Sequence, residues 1–192
     1  PGYSGVAVFS KAKADNVVEG TGNETFDKEG RNILVDFGDT SVMSAYFPSG
    51  TTGDERQAVK MQYLDFFFNY IHEVEKKRNK LLVCGDYNIC HREIDIHNPI
   101  SNKDTSGFKP EERAWMEKYF NSGFIDTFRY FNPQPNEYSW WSFRANSRAN
   151  NKGWRIDYIA ASKNLEKNLV EAKMFQQVKH SDHCPVYCKI KL

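Results

Sequence analysis

The spacing of apolar and polar positions divides the chain into short strands and a few helices. Residues 6–9 are a short apolar run before a charged loop and predict a strand. Two β-rich runs, 32–37 and 41–47, flank Gly38-Asp39-Thr40 and predict a hairpin. Pro48 to Gly53 breaks that pattern. Ala58, Met61, Leu64, Phe67, Phe68, Ile71 and Val74 then recur at helical spacing and predict a helix over 54–77. His72 and the lysines after Glu75 belong to that helix, the lysines at the end where its dipole favours cations. Residues 81–84 read as a buried strand running into Gly85-Asp86-Tyr87-Asn88. A helix over 110–121 has Pro110 in its first turn and Glu111-Glu112 at its positive end, with Trp115, Met116, Tyr119 and Phe120 as its core face. Strands over 138–143, 155–160 and 186–190 follow, with a short helix over 163–169. Strands outnumber helices and mostly do not alternate with them, which favours mixed or antiparallel sheets with helices outside.

Composition narrows the classes. A length of 192 residues suits one domain, 1–192, and 40% apolar with 27% charged residues is an ordinary globular balance. The aromatic share of 15% predicts a core rich in rings. A net charge of +1 gives no global attraction for nucleic acid, so any phosphate-binding surface has to be local. No apolar run reaches the roughly 18 residues that a membrane helix needs. Cys84, Cys90, Cys184 and Cys188 include no CxxC pair and are expected as reduced thiols, with Cys184 and Cys188 on one face of a strand; an intracellular setting follows. The chain opens Pro1-Gly2-Tyr3-Ser4-Gly5, without a methionine, and is expected to start inside a longer protein.

Three segments carry acidic, amide or imidazole groups beside strands: Gly85-Asp86-Tyr87-Asn88, Trp154-Arg155-Ile156-Asp157-Tyr158 and Ser181-Asp182-His183-Cys184-Pro185. Phosphodiester hydrolysis needs such parts. Carboxylate oxygens hold a hard cation, a base activates water, and imidazole, amide or phenol donors meet the charge that builds on phosphorus oxygens. A zinc cluster at His180, Asp182, His183 and Cys184 is disfavoured, because residues so close in sequence cannot converge on one tetrahedral ion.

The ordered set Gly2-Tyr3-Ser4-Gly5, Glu29-Gly30-Arg31, Ala45-Tyr46-Phe47-Pro48, Gly85-Asp86-Tyr87-Asn88, Glu93-Ile94-Asp95, Gly107-Phe108, Glu111-Glu112-Arg113, Gly153 to Tyr158 and Ser181 to Pro185 resembles the exonuclease III and abasic-site endonuclease family. That resemblance implies an α+β fold, a four-layer α/β/β/α sandwich of two mixed sheets flanked by helices, similar to deoxyribonuclease I and here lacking its first strands. It implies hydrolysis of the DNA backbone 5′ to abasic sites, with 3′–5′ exonuclease or 3′-phosphodiesterase activity. The cofactor is expected to be Mg²⁺, with Mn²⁺ as a substitute. The substrate is duplex DNA with abasic or 3′-blocked lesions, and the protein is expected as a monomer, in the bacterial cytoplasm or the eukaryotic nucleus. By the same resemblance Tyr46, Asp86, Asn88, Asp157 and His183 are catalytic. Asp86, Asn88, Asp182 and His183 serve the metal, whose principal glutamate would lie before this chain. Without that glutamate the 192 residues alone are expected to bind Mg²⁺ poorly and to be nearly inactive. Trp140, Trp154 and Ile156 form the pocket for a flipped, base-less sugar, while Asn102 and Arg144 face the DNA. Trp141 and Phe143 are expected in the core, and Arg144, Arg148, Lys152 and Arg155 form a basic stripe available to phosphates.

The chain departs from the family pattern in places. Thr52 stands where vertebrate-type relatives carry an arginine wedge, Arg144 where they carry methionine, and Ile100 where a lysine is expected. Two alternatives stay open: a phosphoesterase of the same fold acting on another phosphate ester, and a catalytically impaired DNA-binding fragment.

Overall fold

The computed structural model describes residues 3–192; Gly2 of the first motif lies outside them. The strands are β1 (Asn16–Glu19), β2 (Asn32–Phe37), β3 (Thr40–Tyr46), β4 (Lys80–Asp86), β5 (Phe124–Asp126), β6 (Asp157–Ser162), β7 (Leu169–Met174) and β8 (Val186–Ile190). The helices are α1 (Glu24–Asp27), α2 (Asp54–Lys77), α3 (Pro99–Asn102), α4 (Pro110–Asn121) and α5 (Thr127–Phe131), with 3₁₀ turns at Glu93–Asp95, Arg144–Asn146 and Lys163–Asn168.

Six strands form one sheet in the order β1-β2-β3-β4-β6-β5. The hairpin between β2 and β3 turns on Gly38 and Asp39, with Phe37 paired to Thr40; Gly38 takes a φ of 60° that a larger side chain would resist. β3 and β4 are parallel, because the 24-residue α2 carries the chain back across the sheet, and β6 is antiparallel to β4. β7 and β8 make a second, antiparallel pair that meets the first sheet at β6, with α5 against β7. The architecture is therefore α+β, two sheets with flanking helices, and its mixed character resides in the larger sheet.

The core lies between that sheet and the helices α2 and α4. Leu34, Met43, Ala45, Leu81, Val83, Tyr158 and Ala160 from the strands meet Tyr63, Leu64, Phe67 and Ile71 of α2, and Trp115, Met116 and Tyr119 of α4. Rings dominate it: Phe47 stacks on Tyr87 with centroids 4.2 Å apart and packs against Tyr63, Phe67 and Trp115.

Several expectations change. Residues 6–9 are not a strand, and Phe9 is 97% exposed; β1 already occupies the sheet edge beside β2. Residues 138–143 form no strand, because Trp140 makes only single bridges, to Trp154 on one side and His183 on the other. β6 starts at Asp157, since the Arg155 amide is drawn to the Asp95 carbonyl instead. Cys184 precedes β8 and is buried beside Tyr138 and Trp141, so it shares no strand with Cys188; all four thiols are free, as expected. Trp141 is buried, whereas Phe143 is 82% exposed on the turn before Arg144.

Gly85 lies hard against Ala45 of β3. Its φ is 151°, and an added Cβ would sit 1.7 Å from the Ala45 carbonyl oxygen, backbone that cannot move aside. Gly85→Ala is expected to lower stability by about 3 kcal/mol, from strained backbone and overpacking together. Urea unfolding measures it; an unchanged midpoint would show that the two strands can part there.

Candidate active site

Pairing register assembles the reactive groups. Tyr46 closes β3, Asp86 closes β4 and Asp157 opens β6; Tyr46 pairs with Asp86, and Asp86 with Asp157, so the three stand in one row across adjacent strands. Parallel β3 and β4 end at the same edge, and antiparallel β6 starts there. Beyond Asp86 the chain turns sharply. Asp86 Oδ1 accepts the Asn88 amide at 2.8 Å, and Asn88 adopts a left-handed φ of 53°, a conformation asparagine tolerates better than most residues. The Asn88 side-chain amide donates to the Phe47 carbonyl at 2.9 Å and to Asp86 Oδ2 at 3.2 Å, and the residue lines the cleft. The segment 181–184 brings His183 over the row, with its Nδ1 2.9 Å from Asp157 Oδ2.

The electrostatics follow from this crowding. Desolvation, then the facing charge of Asp157, raises Asp86 from 3.8 to about 7. Its ionisation therefore works against the fold, and the penalty grows as pH rises from 3.8 through about 7. Burial alone would lower His183. The Asp157 hydrogen bond, with the charges of Asp157, Asp86 and Asp182, reverses that and raises it from 6.5 to about 9. At neutral pH it is an imidazolium held by Asp157, with Nε2–H left over. Tyr46 keeps its phenol proton, raised by burial and then by Asp86, under the Arg31 guanidinium 4.9 Å from its ring.

Next to the row opens a cleft of about 480 Å³ lined by Tyr46, Asp86, Asn88 and His183 on one side and Trp140, Trp154 and Ile156 on the other. The two indoles meet edge to face, centroids 6.2 Å apart, and Ile156 is backed by Cys90, Ile96 and Phe108. Ser49, Thr51, Thr105 and Ser106, hydroxyls that no sequence pattern marks, complete the rim. Ser139 is equally unmarked: its hydroxyl accepts the amides of Ile156 and Asp157 at 3.0 and 3.1 Å. A small polar residue in an aromatic run gave no signal of that role.

Asp157 and Asp182 stand behind the lining. Asp182 accepts the Trp140 indole N–H at 2.9 Å and so joins the apolar wall to the reactive row. Burial opposes its charge, but Trp140, Ser181 and His183 hold the carboxyl below its ordinary value. Asn102 and Arg144 lie outside the cleft: the Asn102 amide caps the carbonyls of His97 and Asn98, and Arg144 is exposed on its 3₁₀ turn. The basic stripe loses two members. Arg155 is fully buried between Asp95 and Asp126, and Arg148 donates to the carbonyls of Gln176, Val178 and Ser181. Arg144 and Lys152 remain exposed.

Among the described residues, no three His, Cys, Asp or Glu side chains converge as a metal cluster. The chemistry of the donors still fits a hard cation. Asp86 and Asn88 offer neighbouring oxygens, and the opposed carboxylates of Asp86 and Asp157 leave negative charge that a cation would relieve.

The family model for the Endonuclease/Exonuclease/phosphatase family matches residues 1–183. An exodeoxyribonuclease of Bacillus subtilis is 42% identical over 186 residues, 96% of this chain and 73% of that protein. The DNA repair nuclease APEX1 of Danio rerio is 39% identical over 96% of this chain, which spans only 60% of its length. Among solved structures, an AP endonuclease from Archaeoglobus fulgidus superposes with a TM-score of 0.86 at 25% identity, covering 94% of this chain and 72% of that one. A 3′ phosphatase from Neisseria bound to a product DNA hairpin shares the fold, with a TM-score of 0.89 at 21% identity, over 95% and 73% of the two chains.

Asp157→Asn removes the charge that keeps the His183 proton while leaving the ring buried. The pair's contribution to stability is complete below 6.5 and disappears as pH rises through about 9. In the metal-free variant the His183 imidazole is expected to titrate well below the parent value, as followed by NMR. Titration still near 9 would show that Asp157 does not hold the proton.

Proposed function

The chain belongs to the Endonuclease/Exonuclease/phosphatase family, in its exodeoxyribonuclease and abasic-site endonuclease branch, and from that premise we propose that it is a DNA-repair phosphodiesterase cutting duplex DNA 5′ to abasic sites. The observation that carries this reading is the adjacency of the Tyr46–Asp86–Asp157 row and His183 to a cleft walled by Trp140, Trp154 and Ile156. The row supplies parts for hydrolysis at phosphorus, and the wall suits a deoxyribose that carries no base. A flipped normal nucleotide must place its base somewhere and costs more to unstack; an abasic one does neither.

The family is a divalent-metal-dependent nuclease type, and we infer Mg²⁺ for this chain. Asp86, Asn88 and Asp182 would hold it, without the expected His183, whose imidazolium on Asp157 has no lone pair to give a cation, and when bound it supplies charge against the departing 3′ oxygen. The chain's own groups do the rest. Asp86 accepts a proton from the attacking water, and the side-chain oxygen of Asn88 orients that water by accepting its other hydrogen. His183, protonated and steered by Asp157, donates Nε2–H to a non-bridging phosphate oxygen, and the Tyr46 phenol donates to the same phosphate. The 3′ phosphodiesterase activity follows from the same row, since a 3′-blocking group needs no base-sized pocket.

Two variants test the assignment on a duplex with one abasic analogue, beside an undamaged duplex and an inositol phosphate. Asp86→Asn is expected to lower Mg²⁺-dependent incision on the order of 10³-fold or more while DNA binding holds, because the carboxylate acts in the transition state. Incision within about tenfold of the parent would refute that role. Trp154→Ala is expected to narrow the ratio of abasic to undamaged cutting. An equal loss on both duplexes would make the tryptophan a packing residue only. Preferential turnover of the inositol phosphate would move the substrate to a different phosphate ester.

A further inference from the structure

A lysine and a glutamate are fully buried behind the cleft. Lys60 of α2 and Glu112 of α4 are both 0% exposed, with Lys60 Nζ 2.5 Å from Glu112 Oε1. Stability is a weak reason for such a pair, because desolvating two charges offsets most of their attraction and a packed apolar pair often does as well. Directed hydrogen bonds are what the apolar pair cannot supply, and these two residues spend theirs on the loops that line the cleft.

Lys60 Nζ donates to the Asn88 carbonyl at 2.9 Å and so fixes the turn that carries the Asp86–Asn88 unit. Glu112 Oε2 accepts the backbone amides of Gly107 at 2.7 Å and Lys109 at 3.0 Å. Glu112 Oε1 also accepts Gln57 Nε2 at 3.0 Å, and Gln57 Oε1 in turn accepts the Ser106 hydroxyl at 2.7 Å. The third loop is held sterically: a Cβ on Gly50 would lie 1.9 Å from Gln57 Oε1, so the 49–51 backbone rests on that side chain. The two far loops are joined as well, by the Cys90 amide on the Gly107 carbonyl at 2.7 Å. Each of the three loops contributes lining residues: Ser49 and Thr51, Asp86 and Asn88, Thr105 to Gly107. Gly107 also sets the apolar wall, because an added Cβ there would meet the Trp154 ring at 3.0 Å.

We propose that Lys60 and Glu112, extended by Gln57, are positioning residues that fix the separation between the reactive Asp86–Asn88 turn and the Gly107–Trp154 wall, and through it the alignment of the sugar-phosphate with the attacking water. Neither touches substrate. Both act through backbone, which explains charged hydrogen bonds, the strongest kind, being placed where no ligand reaches. The proposal rests on the function given above for the substrate it aligns.

The test compares the parent with Lys60→Met/Glu112→Leu, a double variant that keeps the packed volume and leaves no buried charge unpaired. Thermal unfolding and circular dichroism establish folding, hydrogen exchange reads the Gly107 and Lys109 amides, and steady-state kinetics use the abasic-analogue duplex. The expected result is a folded variant whose Gly107 and Lys109 amides exchange freely while α4 stays protected. Its kcat should fall on the order of 100-fold, the scale of a reacting group misplaced by about 1 Å, with KM little changed. A folded variant with parental kcat, or with both amides still protected, overturns the proposal; so does a variant that fails to fold, since the pair would then be a staple of the core. A parent that turns over the inositol phosphate in preference to the abasic duplex refutes the functional reading instead, and a parent without measurable turnover gives no kcat to compare. Positioning is then decided by hydrogen exchange alone, where selective loss of the two amides supports it and their retention overturns it.

Discussion

Two carboxylates, Asp86 and Asp157, face each other across neighbouring strands, where like charges repel and destabilise a sheet. The rest of the site is arranged around keeping them there. His183 takes one of them as its hydrogen-bonded counter-charge and becomes a lasting cation, while Asp86 binds a proton far more tightly than a free aspartate. A fold under selection for stability alone would place no second acid in that register. The proposed hydrolysis would account for it, since that reaction needs a base and a fixed proton donor close together, and the residual negative charge would attract a cation.

Holding repelling groups still takes a stiff frame, and the frame is local. The parallel β3–β4 pair, closed by α2, brings Tyr46 and Asp86 to one edge, and Gly85 lets the two backbones approach there. On the other side Arg155 lies buried between Asp95 and Asp126, with Arg129 also on Asp95, so the stretch Trp154–Ile156 cannot drift from the row. Arg148 does the same for the loop before His183, by gathering the carbonyls of Gln176, Val178 and Ser181. Basic residues near the cleft thus serve mainly as internal braces, which fits a net charge of only +1.

The legible parts of this molecule were those written in short range. The apolar period of α2 and the Gly38-Asp39 turn gave their elements within a few residues, and Asp86, Asn88, Asp157 and His183 stood out because acids, amides and imidazoles gather beside strands. What stayed hidden depends on partners distant in the chain. A run such as Tyr138 to Phe143 looks like a strand until Trp140 is seen bridging Trp154 and His183 in single steps. Arg155 looks like a phosphate contact until Asp95, 60 residues away, is found against it. Lys60 carries no signal of its own in the sequence and Glu112 reads only as an acid at a helix N-terminus, and only the packing of α2 beside α4 takes both out of water.

Central to this account is direct attack of water on phosphorus, with the bond to the 3′ oxygen breaking. Incision of the abasic-analogue duplex in H₂¹⁸O, followed by mass analysis of both fragments, reports it most directly. Direct attack at phosphorus predicts one ¹⁸O in the 5′-phosphate of the downstream fragment and an unlabelled 3′-hydroxyl on the upstream one. An unlabelled phosphate, or label in the 3′-hydroxyl, would contradict it.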